Sequence, residues 1–412
     1  MMIATEMSSS YFKVAAESFP AKEGVAVRRY DEERDKVAVE ELEQRCEVGP
    51  PGKPSLLTDL MGDPICRVRN FPSHVMLVAE YGEGKAIVGV IRGCIKTVTN
   101  GRMASGDHDL PSYVRLAYIL GLRVSPAHRK LGIATKLVES LEEWCKQNGA
   151  EYAYMATECS NEASLNLFTV KCKYIKFRRA EVMVQPVHAH YKPLGSGIKI
   201  LKVPQQLALS IYSQIFAKSE FFPEDMDRIL TNKLNLGTFL AVPSKSPGIS
   251  SHLPSGPFAI LSVWNTKQVF RLQVKGVSRL TSAWCAGSRA ADALLPWLGI
   301  PSVPDLFTRQ FGVYFLYGLH MEGYGASRLM KSLCAFAHNM AKDDDGCAAI
   351  VAEVGPRDPV RLAVPHWPKF SWSDDVWCIK KLIEKGDHGC GPLDWIKSQA
   401  SSDVIFVDPR DF

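Results

Sequence analysis

Apolar and polar positions along this chain alternate with two periods, and the places where the period changes mark out its elements. Val25–Arg29 alternates as a strand does, and Glu32–Arg45, with Val37, Val39 and Leu42 near helical spacing, predicts a helix. After a loop ending in Pro64, His74–Glu80 and Ala86–Val98 are β-rich runs separated by Gly82, Glu83 and Gly84, the pattern of an antiparallel hairpin. Val114–Val124 is a further strand that stops at Ser125-Pro126. A long helix is predicted from about Lys130 to Asn148, with Leu137, Val138, Leu141 and Trp144 on one face and Glu139, Glu142, Glu143 and Lys146 on the other. Gly149 ends it. Tyr152–Thr157 reads as a short strand, Asn161–Lys171 as a short helix, and Tyr174–Pro186 as one long strand or a strand pair.

The same order then returns. Gly195-Ser196-Gly197 suits a linker; Ile198–Val203 is a strand and Gln205–Phe216 a helix. Thr238–Val242 and Phe258–Trp264 pair across the Ser/Pro/Gly-rich loop Pro243–Pro257, which is expected to be mobile. Phe311–Tyr317, Ser327–Ala341, Cys347–Glu353 and Val376–Leu382 supply a central strand, a helix, a strand and a closing strand. Lys136-Leu137, Ser140-Leu141 and Trp144 align at constant offset with Arg328-Leu329, Ser332-Leu333 and Phe336, although any two amphipathic helices share such features. The expected division is a loosely ordered extension over 1–24, one α/β domain over 25–194 and a second over 195–412.

Composition narrows the class without naming a function. A chain of 412 residues with 46% hydrophobic and 23% charged positions is globular, and no apolar run approaches the roughly 20 residues that cross a bilayer. The net charge of +5 is dispersed, so sequence-specific nucleic-acid binding is not expected. Eleven scattered cysteines with no CxxC pair fit a reducing compartment, and no metal is expected: His388 and Cys390 lack a second ligand pair at zinc spacing.

The chemistry concentrates in Leu122-Arg123-Val124-Ser125-Pro126-Ala127-His128-Arg129-Lys130-Leu131-Gly132-Ile133-Ala134-Thr135. A strand runs here through a Pro-marked turn into a Gly-containing helix start. Such a start leaves backbone N–H groups unpaired at the positive end of the helix dipole, where a diphosphate fits. Gly132 lets the backbone approach the phosphates, Ala134 keeps the next turn open and Arg129 adds charge. No Walker Gly-Lys-Ser/Thr ending and no GxGxxG on a first parallel strand is present.

These residues resemble the Arg/Gln-x-x-Gly-x-Gly/Ala motif by which the GNAT superfamily holds the pyrophosphate of acetyl-CoA. Asn161-Glu162-Ala163-Ser164-Leu165-Asn166-Leu167-Phe168 resembles the family's Asn-Glu-Ala-x-x-x-Leu-Tyr helix. By that resemblance Asn161 contacts the coenzyme and Phe168 approaches the thiol sulfur; Asn161 also suits a plain helix cap. Across most of its length the chain is similar to plant hookless-type N-acetyltransferases, as in Arg45-Cys46-Glu47-Val48-Gly49-Pro50, Ile91-Arg92-Gly93-Cys94-Ile95-Lys96, Phe221-Phe222-Pro223 and the closing Val407-Asp408-Pro409-Arg410-Asp411-Phe412. The repeated element order, taken with this resemblance, gives tandem GNAT-like domains of mixed α+β type, each a mostly antiparallel twisted sheet flanked by helices. The resemblance also implies acetyl-CoA as cosubstrate, plant growth control, a nuclear setting with the cytoplasm as an alternative, and histone or other protein lysines as acceptors.

Amine acetylation needs a base, a donor to the thioester carbonyl and sometimes an acid for the thiolate. The Val124 amide matches the family's carbonyl donor. Tyr118–Arg123 holds no carboxylate where many relatives place Glu, so Glu158 is the first candidate base and Glu80 the second; each also suits an ordinary solvated carboxylate. Phe168 cannot donate a proton, Lys173 replaces the usual Gly, and one extra residue separates Phe168 from Tyr174. In the second half Gly323-Tyr324-Gly325 precedes the matching helix without an Arg-x-x-Gly series, so that copy is expected to be degenerate and coenzyme-free. Two other readings stay open, a regulatory pseudoenzyme and a small-molecule amine acetyltransferase.

Overall fold

The computed structural model describes residues 24–46, 55–103, 110–246, 254–295, 297, 302, 304–368, 371–383, 395–397 and 404–412. The expected N-terminal extension up to residue 23, the middle of the 243–257 loop and the His388/Cys390 pair lie outside the described residues. The first half comprises β1 (Val25–Arg29), α1 (Glu32–Arg45), β2 (Ser55–Asp59), β3 (Ser73–Tyr81), β4 (Ala86–Met103) and β5 (Pro111–Val124). It continues with α2 (Ile133–Gln147), β6 (Tyr152–Glu158), α3 (Glu162–Leu165) with a π-helical turn at Asn166–Lys171, and β7 (Ile175–Pro186). The second half comprises β8 (Ile198–Val203), α4 (Gln205–Phe216), β9 (Glu220–Pro223), α5 (Met226–Thr231), β10 (Asn235–Pro243) and β11 (Phe258–Asn265). Then follow β12 (Arg271–Lys275), α6 (Arg279–Leu294), β13 (Gly312–Glu322), α7 (Ala326–Lys342), β14 (Cys347–Val354) and β15 (Trp372–Lys381).

Local chemistry accounts for several boundaries. Asp31 caps α1 by accepting from the Glu33 and Arg34 amides, and Glu32, Glu33 and Asp35 in its first turn face the positive end of the dipole. The helix expected from Lys130 begins instead at Ile133, because Lys130 (φ 67°) and Gly132 (φ 80°) adopt left-handed backbone and a right-handed helix cannot pass through them. The extra residue between Phe168 and Tyr174 is absorbed by the π-helical turn, in which the Cys172 amide reaches back to the Leu167 carbonyl. Lys173 then takes φ 63°, a conformation that Gly would adopt at less cost. The Gly195-Gly197 segment is tethered: the Gly195 amide donates to Ser332 Oγ and Arg328 Nη2 to the Ser196 carbonyl, both on α7.

Apart from the β2–β12 pair and β9, which pairs with β4, the strands form one sheet in the order β1-β3-β4-β5-β6-β15-β7-β14-β13-β11-β10-β8. The two halves run toward the centre in matching order, but their closing strands are exchanged. β15 pairs with β6 of the first half, and β7 pairs with β14 of the second. Strand parity then divides the core. Ala153 and Met155 of β6 and Val376 and Cys378 of β15 face α2, while Ile350 and Ala352 of β14 face α7. Tyr152, Tyr154, Trp377, Ile379, Ala349 and Val351 face the opposite side, where one core spans both halves and includes α4, α5 and the segment Ile405–Val407.

Candidate functional site

The site begins where two parallel strands part. β5 and β6 pair only from Leu116–Tyr118 to Tyr152–Tyr154, although β5 runs on to Val124 and β6 to Glu158. On its other edge β6 stays paired with β15 along its whole length, so past Tyr154 a cleft opens only between the ends of β5 and β6. Gly121, at φ 60°, sits in a bulge of β5 opposite β4. After it, Leu122 and Val124 pack toward α2, whereas Arg123 turns to the other face, with Nε 3.5 Å from Glu43 Oε2.

Residues 125–132 carry the chain from β5 into α2. Ser125 is held by its amide donating to the Val88 carbonyl, and Pro126–His128 form a single 3-10 turn. Arg129, Lys130, Leu131 and Gly132 are exposed. No side chain caps α2, no acidic residue occupies its first turn, and a β-carbon built on Gly132 would meet nothing within 4 Å. The first-turn amides of Ile133, Ala134 and Thr135 therefore lie behind open space with positive potential, a setting that fits a diphosphate. Asn161 Oδ1 accepts from the Ser164 amide, so it does cap α3. Phe168 is buried beneath α2, edge-on to Tyr174 with ring centroids 5.2 Å apart. It forms part of the wall. Tyr174 is likewise core, its phenol pushed well above its ordinary range by burial and the neighbouring Glu142.

On the face away from α2, carboxyl groups gather that the chain order keeps far apart. Glu158 at the end of β6 lies directly across from Asp375 of β15, and its Oε1 accepts from Ser160 Oγ at 2.7 Å. Burial and the Glu158 charge push the Asp375 carboxyl up to about 6. Glu353, at the corresponding end of β14, accepts from Trp377 Nε1 at 3.0 Å; burial and the charges of Asp375 and Asp411 push it up to about 8. Sequence reasoning missed Asp375, because only insertion of β15 beside β6 brings it there. Glu80 is elsewhere and otherwise engaged. Its Oε1 accepts from Arg28 Nε at 2.8 Å and Arg34 Nη2 at 2.6 Å near the β1 edge, in charge-assisted bonds remote from the β5–β6 cleft. The Arg123 side chain points away from α2 toward Glu43, while Leu122 and Val124 on either side of it pack toward α2.

Comparison with known proteins places this geometry in a family. Residues 37–174 match the Acetyltransferase (GNAT) family model. The chain is 50% identical to the probable N-acetyltransferase HLS1 of Arabidopsis thaliana, over 94% of this chain and 99% of that one. This chain belongs to the GNAT N-acetyltransferases. Within them it is also 43% identical to the acetyl transferase GW6a of Oryza sativa subsp. japonica, covering 94% of this chain and 97% of that protein. Its fold is similar to that of Saccharomyces cerevisiae N-myristoyltransferase, with a TM-score of 0.56 at 10% identity over 98% of this chain and 91% of that one. Like other members of the family it has a mixed α/β architecture with a large, mostly antiparallel sheet flanked by helices. Among the described residues no helix is long and apolar enough to cross a membrane, and no three His, Cys, Asp or Glu side chains are placed to hold a metal ion.

Proposed function

We propose that this GNAT protein transfers the acetyl group of acetyl-CoA to an amine of a protein acceptor, with the chemistry confined to the first half and completed by strand β15. The observation that carries the reading is the cleft between β5 and β6, with an uncapped, open helix start on one side and paired carboxyl groups on the other. Acetyl-CoA, when bound, supplies an activated acetyl thioester. The amides of Ile133, Ala134 and Thr135, with Arg129 and Lys130 on the same loop, hold its diphosphate. The amide of Val124 donates to the carbonyl oxygen that gains charge during transfer. Asp375, backed by Glu158, takes the proton from the acceptor ammonium. A carboxyl near 6 is mostly ionised at neutral pH yet more basic than an ordinary aspartate.

The acceptor is read as a protein lysine, with histones as first candidates, and the setting as nuclear and concerned with plant growth. Support is the similarity to the hookless-type relatives. The second half, by this reading, is a degenerate GNAT-like copy that helps select the acceptor. A regulatory protein that binds the coenzyme without turnover is the second reading, and Phe168 favours it, since no hydroxyl stands there to protonate the thiolate. Incubation with labelled acetyl-CoA and a plant nuclear lysate, followed by mass spectrometry, separates the two. New acetyl-lysine sites that vanish with Asp375→Asn support transfer, and coenzyme binding without any new site supports the second reading.

A further inference from the structure

The acceptor face holds a second charged cluster that the reaction above does not use. Arg67, Arg92 and Arg123 act on one another electrostatically from the loop before β3, from β4 and from the end of β5. Arg92 is 1% exposed. Its Nε donates to the Pro64 carbonyl at 2.6 Å and Nη1 to Glu43 Oε1 at 2.7 Å, while Nη2 is buried without a partner. Arg123 Nη1 donates to the Leu122 carbonyl and Arg67 Nη2 to the Asp411 carbonyl at 3.3 Å; the Nε of each is buried without a hydrogen-bond acceptor, that of Arg123 keeping only the longer ion-pair contact to Glu43.

The nearby acids do not balance these three cations. Glu43 is shared by Arg92 and Arg123. Asp63 is held by Arg69, and Asp408 and Asp411 are held by Lys96 and Arg410. A guanidinium cannot shed its proton, so the cost of burying it is relieved by carbonyl acceptors in part and most fully by an anion. Position says which one. Arg67 Nη2 and the Tyr118 hydroxyl both donate to the Asp411 carbonyl, and Tyr118 lies at the point where β5 and β6 part. Arg123 at the end of β5 and Glu158 at the end of β6 both stand on the face away from α2, so the basic cluster and the carboxyl pair flank the gap between those two strand ends.

We infer that Arg67, Arg92 and Arg123 form an anion subsite of the acceptor cleft, which receives a carboxylate or phosphate carried by the acceptor beside the amine that is acetylated. This rests on the acetyl-transfer reading for its setting, but not for its measurement. An acceptor with only positive charge around its lysine would leave these N–H groups unpaired. One with an adjacent acidic group satisfies both sides of the gap at once and gains charge-assisted hydrogen bonds.

The test uses the full chain, saturating acetyl-CoA and three peptides that differ only in the residue next to a single lysine: Gln, Glu or phosphoserine. The expected KM is about tenfold lower or more for an acidic neighbour than for Gln, as one or two such bonds allow. The ratio should fall toward one in Arg67→Gln and Arg123→Gln and return in part in Arg123→Lys, which keeps the charge. The better of Glu and phosphoserine identifies the anion. Equal KM values for all three peptides, or a preference that survives both Gln variants, overturns the subsite. Should no peptide be acetylated, calorimetry with inorganic phosphate decides independently of turnover. Binding that is lost in the two Gln variants supports the subsite even as the transfer reading fails, and absent or unchanged binding overturns it.

Discussion

The junction from β5 to α2 and the junction from β13 to α7 begin from the same backbone and end in different surfaces. Gly121 and Gly318 both take φ 60° at a bulge in the central strand. Gly132 and Gly325 both cap the following helix in left-handed geometry, at φ 80° and 82°. In both halves the parallel pairing stops before the strands do. Yet the first half inserts residues 125–132, with exposed Arg129 and Lys130, where the second has only 323–325 and presents Glu322 and a fully exposed Tyr324. The second cleft is also occupied by its own chain: Val404–Val407 line one small cavity with Tyr317, Gly318 and Glu353. The fold and the site are therefore separable. A helix start is an anion site only where a loop leaves it open and brings positive charge to it.

The sharpest way to break this comparison is to place the same charge at both caps. Gly132→Glu is expected to abolish acetyl-CoA binding by calorimetry, because a carboxylate then stands where the phosphates would meet the α2 amides. Gly325→Glu should leave affinity unchanged. Both substitutions force a side chain into left-handed backbone at a similar cost of about 1–2 kcal/mol, so a matched fall in melting temperature controls for folding. Equal loss of affinity in the two variants would undo the assignment of the site to the first half, as would two equivalents of acetyl-CoA bound per wild-type chain.

The next effect crosses between the halves. Asp375→Asn should lower kcat/KM about 100-fold while acetyl-CoA affinity holds, the usual scale for loss of a general base. Glu158→Gln, which removes only the backing charge, should cost about tenfold. The sign with pH is fixed by the role: a base works unprotonated, so the wild-type rate rises as pH rises through about 6 and then levels. A rise that persists unchanged in Asp375→Asn would return the role to Glu158 or to water. Because β15 belongs to the second half, a first half expressed without it should lose activity altogether, and retained activity would show that the exchanged strand is dispensable.

Most elements were legible from periodicity, since β3 to β7 and α7 bury one face or stripe each and the alternation survives in the letters. What escaped were β2, β9, α5, β12 and α6, short or weakly patterned pieces. β9, for example, is fixed by pairing with β4 and by Glu220 accepting from Arg178. The proposed coenzyme loop can be read in sequence because its residues are contiguous, from Leu122 to Thr135. The proposed base cannot. Glu158 and Asp375 become neighbours only through the strand exchange, which no local pattern announces. Glu80 misled for the converse reason. A carboxylate at a strand end looks free in sequence, and only Arg28 and Arg34 reveal otherwise.

The smallest expected effect concerns Glu353, which ends β14 as Glu158 ends β6. Burial is the main cause that raises its carboxyl to about 8 from an ordinary value near 4.5; Asp375 and Asp411 add repulsion, and the Trp377 N–H opposes them. Between those two values the folded protein holds a proton that the unfolded chain releases, so stability must fall as pH rises through the window. The slope cannot exceed about 1.4 kcal/mol per pH unit, and partial exposure of Glu353 makes it smaller. Glu353→Gln keeps an acceptor for Trp377 Nε1 but removes the titration. Relative to wild type, the variant should therefore gain melting temperature between pH 5 and pH 8, with little difference at the acid end. Asp375 contributes with the same sign only up to about 6, so a separation that widens above pH 6 belongs to Glu353 alone. Melting curves that run parallel from pH 5 to pH 8 would mean that Glu353 is ionised in the folded protein, and that the two strand ends differ less in environment than their surroundings imply.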